Sequence, residues 1–175
     1  MKLLTTTLFL CLFVSLGFSQ ETYYGVRAGL NHSKHSFDPD VESDLKSRNG
    51  FVIGGFVDHN FSESLSLLAE LQYSAEGSQD RSLRTDYIQI PLILRFSIGQ
   101  SFKIGAGPQA GLKVWSYDDG FKNLAFSGIA GIEFMITDEL FLDARFSLGL
   151  SDVLEENDFF EAKNNNIQLG FGIKL

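Results

Sequence analysis

The sequence predicts an all-β fold, an eight-stranded antiparallel up-and-down transmembrane β-barrel. Apolar residues take every second position along eight segments, which is typical of strands with one apolar face. The connections between these segments alternate between long and short. Beyond its first twenty residues, the sequence also contains no run of 18 apolar residues that would form a membrane-spanning helix.

The clearest alternation lies in residues 87–115, which predict two strands joined by a short polar break. The alternating apolar side of this hairpin consists of Ile88, Ile90, Leu92, Leu94, Phe96, Phe102, Ile104, Ala106, Pro108, Ala110, Leu112 and Val114. In a soluble sandwich this side would point into a core, whereas in a membrane barrel it would point to lipid. The hairpin alone allows both explanations.

The other strands are predicted in chain order around this hairpin. The first covers about 22–32. The second, 50–59, has two similar faces, so its register stays open, and its Gly54-Gly55 pair is typical of a bend or bulge. The remaining strands are predicted at about 65–74, 124–136, 140–150 and 167–175.

The connections distinguish the two explanations. Long polar stretches at 32–49, 75–85, 116–122 and 152–163 alternate with short ones at 60–64, 99–101 and 137–139. Outer-membrane barrels have short turns at one end and long loops at the other. The predicted strands also have the length of about 9–11 residues or slightly more that crosses a bilayer at a tilt. A soluble sandwich gives no reason for this alternation, so the sequence favours the membrane barrel.

The second face of the predicted strands is charged, polar or glycine. Its charged members are Arg27, Glu70, Arg95, Lys103, Lys113, Glu133, Asp143, Arg145 and Lys174. A barrel of eight strands is only wide enough for its own side chains to fill. Because unpaired charge in such a narrow lumen would be costly, we expect these residues to form a network of ion pairs inside the barrel.

Aromatic residues are predicted to form girdles at the two membrane interfaces, although aromatics are also simply frequent in strands. The predicted girdle residues are Tyr73, Tyr87, Trp115 and Tyr117 at the long-loop ends, and Tyr23, Tyr24, Phe96, Phe102, Phe134 and Phe141 near the short turns.

Pro91 and Pro108 lie at nearly the same height in the hairpin and cannot donate ladder hydrogen bonds. We therefore expect a bulge or a missing ladder bond there.

The N-terminus predicts export. Lys2, an apolar run, and small residues at Gly17 and Ser19 predict a signal peptide at 1–19, cleaved before Gln20, with the barrel domain at 20–175. The single cysteine, Cys11, lies in that signal. The net charge of −8 argues against a nucleic-acid partner, which requires a basic surface.

No recognisable catalytic or cofactor motif stands out in the sequence. His32 and His35 lie near Asp38, Asp40 and Glu42, but their spacing fits no standard metal site, so a solvated loop is favoured. The serines belong to no nucleophile motif. We therefore expect neither an enzyme nor a metal or other cofactor site.

Four segments carry a resemblance to a known family: YIQIPLILRF, GAGPQAGL, GIAGIEF and LDARFSLGL. With these, the chain resembles the outer-membrane β-barrel family of Bacteroidetes that is often labelled PorT-like or "porin family", and the resemblance covers about 20–175. It implies location in the cell outer membrane and the size of OmpA- or OmpX-like barrels. It implies little about activity, and the chain ends in Leu175 where such barrels usually end in an aromatic residue.

These observations favour a structural or interaction role in the cell envelope. The expected partners are outer-membrane lipid or lipopolysaccharide and the barrel-assembly machinery, and an unknown partner outside the cell or in the periplasm stays open. The acidic long loops favour a solvated rim, with a surface that binds a cation or a basic partner as the alternative. A narrow porin-like channel for ions or small solutes is the alternative, and an outer-membrane barrel enzyme is the third possibility.

Overall fold

The computed structural model describes residues 21–38, 46–116, 122–152 and 161–175. Within these ranges the strands form a closed barrel, in which each strand pairs antiparallel with the next and β8 pairs with β1. In a closed barrel every strand has a neighbour on both sides, so no row of backbone N–H and C=O groups is left unpaired. A chain that spans lipid requires this pairing. The predicted fold class is therefore confirmed, whereas the predicted signal peptide lies outside the described residues.

The strands are long, and their apolar and polar residues alternate along them. Their bounds are β1 Thr22–Asp38, β2 Arg48–Asn60, β3 Leu65–Gly77, β4 Arg84–Ile98, β5 Phe102–Ser116, β6 Leu124–Met135, β7 Leu140–Gly149 and β8 Glu161–Lys174. A single 3₁₀ turn, Arg81–Leu83, lies between β3 and β4. Among the described residues, no helix is long and apolar enough to cross a membrane.

Several strands continue beyond their predicted ends into polar sequence. The pairing of β1 with β8 reaches Asp38 and Glu161, although both were predicted to lie in or next to loops. Likewise β3 continues to Gly77, where we expected a loop from residue 75. The reason is that ladder hydrogen bonds join backbone groups, so pairing can extend where no apolar side chain marks it.

The connections alternate as the sequence predicts. Residues 61–64, 99–101 and 136–139 connect strands at one end, which we call the short-turn end. The first and last strands of the barrel also begin and end there. In the 136–139 turn, the Thr137 hydroxyl oxygen accepts a hydrogen bond from the backbone N–H of Leu140 at 2.9 Å. Gly99 has a φ of 67°, which a side chain would disfavour. The opposite end is called the long-loop end.

The apolar face of the strands points outward, as predicted for contact with lipid. Leu30, Ile90 and Leu169 are 71%, 50% and 62% exposed. Their neighbours on the alternate face, such as Asn31, Gln89 and Gln168, are buried. A soluble barrel with an apolar interior would show the reverse arrangement, so the predicted outward orientation of the apolar face is confirmed.

Three predicted girdle residues occupy inward positions of the alternation, namely Tyr23, which lies opposite Asp58 at the short-turn end, and Tyr87 and Phe141. Tyr87 and Phe141 are 1% and 2% exposed and lie inside the barrel. Both occupy inward positions of the alternation, because Tyr87 is two residues before Gln89 and Phe141 is two before Asp143. Tyr24, Phe96, Phe102, Phe134 and Trp115 are exposed on the outer surface. Tyr117 lies outside the described residues.

The two prolines coincide with gaps in the ladders. Pairing of β4 with β5 stops after Pro91↔Gln109 and resumes at Leu94↔Ala106, with the register unchanged. Pairing of β3 with β4 also stops at Ala69↔Leu92 and resumes at Gln72↔Gln89. The predicted loss of ladder pairing near the prolines is therefore confirmed. The register shift of this hairpin lies elsewhere, between Asp86 and Tyr87.

Candidate functional site

The site that this fold defines is the lumen, because the inward side chains of all strands meet there. We divide them into three groups by height. The central ring consists of Arg27, Glu70, Asp143 and Arg145. The short-turn cluster consists of Asp58, Arg95, Lys103, Glu133 and Lys174. The amide cage consists of Glu76 with Ser74, Gln89, Asn164 and Asn166, and lies toward the long-loop end.

The central ring alternates in charge around the lumen. Arg27 donates two hydrogen bonds to Asp143, from Nε to Oδ2 at 2.7 Å and from Nη2 to Oδ1 at 2.6 Å. Arg145 donates from Nη1 to Glu70 Oε2 at 2.7 Å, and its Nε lies 3.3 Å from Asp143 Oδ1. Arg27 Nη1 and Glu70 Oε1, 3.8 Å apart, close the ring. The ring is neutral and its side chains are almost wholly buried.

The short-turn cluster is built around two carboxylates. Arg95 forms ion pairs with Asp58 and, at 2.7 Å, with Glu133. Lys174 Nζ lies between the same two acids, 3.7 Å from Asp58 and 3.5 Å from Glu133. Lys103 Nζ lies 3.6 Å from Asp58. With three bases and two acids, this cluster carries a formal charge of +1.

The amide cage surrounds one carboxylate with neutral donors. Glu76 Oε1 accepts hydrogen bonds from the Ser74 hydroxyl at 2.8 Å, Gln89 Nε2 at 2.9 Å and Asn166 Nδ2 at 2.7 Å. Asn164 Nδ2 donates to Glu76 Oε2. Gln72 links this cage to the ring, because it donates to Gln89 Oε1 at 2.7 Å and accepts from Arg27 at 3.5 Å.

Apolar side chains fill the space beside the charged groups. Phe56 and Phe141 meet edge-to-face inside the barrel with ring centroids 5.7 Å apart. Phe141 lies over Gly172, its partner across β7 and β8, where a Cβ would overlap the ring. The aromatic ring therefore occupies space that only glycine leaves free. These contacts pack the short-turn half of the lumen as a core.

The structure brings eight of the nine predicted lumen residues within ion-pair distance of an oppositely charged group. Lys113 is placed differently. It is half-buried in β5 toward the long-loop end, paired with Tyr87, and its backbone N–H donates to Asn123 O at 2.8 Å.

Two lumen acids were not predicted from the sequence. Asp58 was missed because β2 has apolar residues on both faces, with Phe56 inside and Val57 outside. Its pairing with Leu68 on β3 places it on the inward face, and the short 61–64 connection was the signal for that register. Glu76 was missed because it was expected in a loop. It continues the inward alternation of Gln72 and Ser74, which was the signal available.

The lumen retains little internal space. One cavity of about 20 Å³ lies beside Leu68, Arg95 and Glu133, and another of about 20 Å³ lies beside Glu76 and Gln109. A cavity of about 10–15 Å³ or more admits one water molecule. Each cavity is therefore of the size of one water or one small ion.

The histidines considered in the sequence lie apart from this network. His32 Nδ1 lies 2.7 Å from Asn49 Oδ1, and His59 Nδ1 lies 2.8 Å from Thr22 Oγ1. Asp40 and Glu42 lie outside the described residues. Within the part of the chain that the structure describes, no group of three or more His, Cys, Asp or Glu residues is arranged to hold a metal ion.

The closed barrel, its apolar exterior and its ion-paired interior define a transmembrane β-barrel of the outer-membrane class. Residues 5–174 match the model of the family described as "Outer membrane protein beta-barrel domain". The chain belongs to this family and is an outer-membrane protein. No curated protein sequence matches it.

Solved structures share the fold at low sequence identity. Neisserial surface protein A is 15% identical with a TM-score of 0.58, and the match covers 87% of this chain and 97% of that one. Ail, the attachment invasion locus protein of Yersinia pestis, is 15% identical with a TM-score of 0.57, over 89% of this chain and 99% of that one. At this identity the likeness concerns the fold.

Proposed function

We propose that this protein is a closed, non-catalytic barrel that serves the outer membrane as a structural or interaction element. The observation that supports this role is the central ring. Its two arginines and two carboxylates come from β1, β3 and β7 and lie across the middle of the lumen. An ion moving along the axis would have to displace paired groups.

The packing on either side of the ring supports the same proposal. Phe56, Phe141 and Leu68 fill the lumen toward the short turns, while hydrogen-bonded amides fill it toward the long loops. The long-loop end is then the part of the barrel that remains available to a partner. We place it outside the cell and the short-turn end in the periplasm, which is the usual arrangement of bacterial barrels.

The remaining partners and the finer family placement are part of this proposal. Outer-membrane lipid or lipopolysaccharide would surround the apolar exterior, and the barrel-assembly machinery would insert the chain. The segments IPL at 90–92 and GPQAG at 107–111 support a place in the PorT-like branch of Bacteroidetes.

The test is single-channel conductance of the refolded protein in planar lipid bilayers. Insertion is verified separately through the fluorescence of Trp115, the only tryptophan, which lies on the outer surface. The closed barrel is expected to insert without reproducible conductance steps. Steps from the wild-type protein would overturn the proposal in favour of a narrow channel for ions or small solutes.

A variant without the central ring tests whether the ring is the reason that the wild-type barrel does not conduct. Replacing Arg27, Glu70, Asp143 and Arg145 together by serine removes the ring without changing the net charge, and it leaves a wider lumen. This variant is expected to give conductance steps if the ring alone closes the lumen, and none if the packing of Phe56 and Phe141 and the amide cage on either side of it is enough to do so. If the variant inserts and stays silent, the ring is not what closes the barrel.

A further inference from the structure

The cavity in the long-loop half of the lumen is lined by polar side chains together with the apolar Ala125 and Phe126. Its volume is about 20 Å³, and its lining includes Glu76, Tyr87, Gln109 and Asn164 with the serines 127, 147 and 151. One small ion or one water fills such a space. The question is which of the two the surrounding groups favour.

The hydrogen bonds around the cavity leave oxygens unused. Asn164 donates through Nδ2 to Glu76, and Gln109 donates through Nε2 to Ser127 at 3.1 Å. The other amide atoms, Asn164 Oδ1 and Gln109 Oε1, are buried and have no hydrogen-bond partner, while the Tyr87 hydroxyl interacts with Thr85. These three residues are at least nine-tenths buried.

The charge of the site also points to a cation. Hydrogen bonds reach the Glu76 carboxylate from four neutral groups, and the nearby Arg48 pairs with Asp86 at 3.1 Å and with the Glu76 backbone oxygen. A buried carboxylate is costly unless a counter-charge compensates it or it takes up a proton. The short-turn cluster compensates its acids with lysine and arginine, whereas the amide cage supplies only dipoles.

We propose that this cavity binds a single monovalent metal cation of the size of Na⁺, with Glu76, Asn164 Oδ1, Gln109 Oε1 and the Tyr87 oxygen as its ligands. An all-oxygen donor set suits hard cations rather than transition metals. One carboxylate balances one positive charge, whereas Ca²⁺ takes about 6–8 oxygens. The bound ion would join β3, β4, β5 and β8 in the long-loop half of the lumen.

The first test compares salts at constant ionic strength. Urea unfolding in lipid vesicles is measured while NaCl replaces N-methyl-D-glucamine chloride, an organic cation too large for the cavity. The urea midpoint of the wild-type barrel is expected to rise and saturate with Na⁺, as it does when a ligand binds only the folded state. A midpoint that does not respond to Na⁺ would overturn the proposal.

Variants assign the response to the site. Glu76→Gln is expected to remove the Na⁺ response and, without Na⁺, to be at least as stable as the wild type, because it removes the uncompensated charge. Glu63→Gln, in the exposed 61–64 turn, makes the same chemical change and should keep the response. Equal responses of the wild type and Glu76→Gln would contradict the proposed site.

The second test locates the ion in the wild-type protein and does not depend on any variant folding. Crystals of the barrel are grown in NaCl and diffraction is measured to atomic resolution, because a bound Na⁺ lies closer to its oxygen ligands than a water molecule lies to its hydrogen-bond partners. A density peak between Glu76 and Gln109 with such short distances is the expected result. A peak at ordinary hydrogen-bond distances, which marks a water molecule, would overturn the assignment.

Discussion

The two halves of the lumen both bury carboxylates, but they stabilise them by different interactions. Toward the short turns, Asp58 and Glu133 are buried against arginine and lysine, so charge is compensated by charge. Toward the long loops, Glu76 is equally buried but receives hydrogen bonds from serine and amide groups. The first half carries a formal charge of +1 from its three bases and two acids, and the cage carries the −1 of Glu76.

This difference separates two roles of buried polar groups. Ion pairs in a low-dielectric lumen depend strongly on both partners, because removing one leaves the other unpaired. A carboxylate held by dipoles depends on many small contributions, each of which can be lost with modest effect. Loss of one charged side chain should therefore cost more in the short-turn half and the ring than loss of one hydrogen-bonding group costs in the amide cage.

The largest effect is expected in the central ring. Arg27→Met leaves Asp143 and Glu70 facing Arg145 alone, and should lower the free energy of unfolding by about 3–5 kcal/mol. Arg27→Lys keeps the charge but loses the bidentate geometry, so it should fall between the wild type and Arg27→Met. Urea unfolding in vesicles, followed by Trp115 fluorescence, measures both. Equal stability of Arg27→Met and the wild type would contradict the role given to the ring.

Close packing of the ring gives the next effect. A Cβ at Gly170 would lie 2.8 Å from Arg27 Nη2 and 2.9 Å from Asp143 Oδ2. Gly170→Ala should therefore destabilise the barrel by about 1–3 kcal/mol, as overpacked sites do.

The control for this substitution is Gly128→Ala on β6, because the nearest atom to a Cβ there is Leu150 Cδ1 at 4.0 Å. Its unfolding free energy should stay within about 0.5 kcal/mol of the wild type. The same unfolding assay compares the two alanine variants. If both lose the same amount, the close contact at Gly170 is not the cause.

The sequence predicts much of this architecture, and the reason is the period of two. Alternation alone assigns Arg27, Glu70, Asp143 and Arg145 to one face, and the closed barrel requires that face to be the lumen. The alternation does not show which of these side chains contact one another. Arg27 and Asp143 are 116 positions apart in sequence, and only the stagger of the closed strands brings them together.

The errors have physical reasons as well. Asp58 was left out because β2 is apolar on both faces, so its alternation did not reveal its register. Glu76 was left out because a strand end with polar residues resembles a loop in sequence. Tyr87 and Phe141 were assigned to girdles from their residue type and their height along the strand, although the alternation placed both inside.

The smallest expected change in stability concerns one serine in each half of the lumen. Ser74 donates to Glu76 Oε1 at 2.8 Å and accepts from Asn31 at 2.8 Å, so Ser74→Ala should cost about 0.5–1.5 kcal/mol. Ser66 accepts from Arg95 at 3.3 Å, and Arg95 retains its carboxylate partners, so Ser66→Ala should cost less than about 0.5 kcal/mol. Urea midpoints of the two variants rank them. A larger loss for Ser66→Ala would show that the hydroxyl matters more to the ion-paired half.

The most direct test of the difference between the two halves makes one chemical change in each. Asp58→Asn and Glu76→Gln both convert a buried carboxylate to an amide, and their unfolding free energies are measured side by side in vesicles without Na⁺. Asp58→Asn should lose about 3–5 kcal/mol, because it leaves three bases facing Glu133 alone. Glu76→Gln should be as stable as the wild type or more so. Equal losses would contradict the account, since they would mean that the amide cage compensates its carboxylate no differently from the ion-paired half.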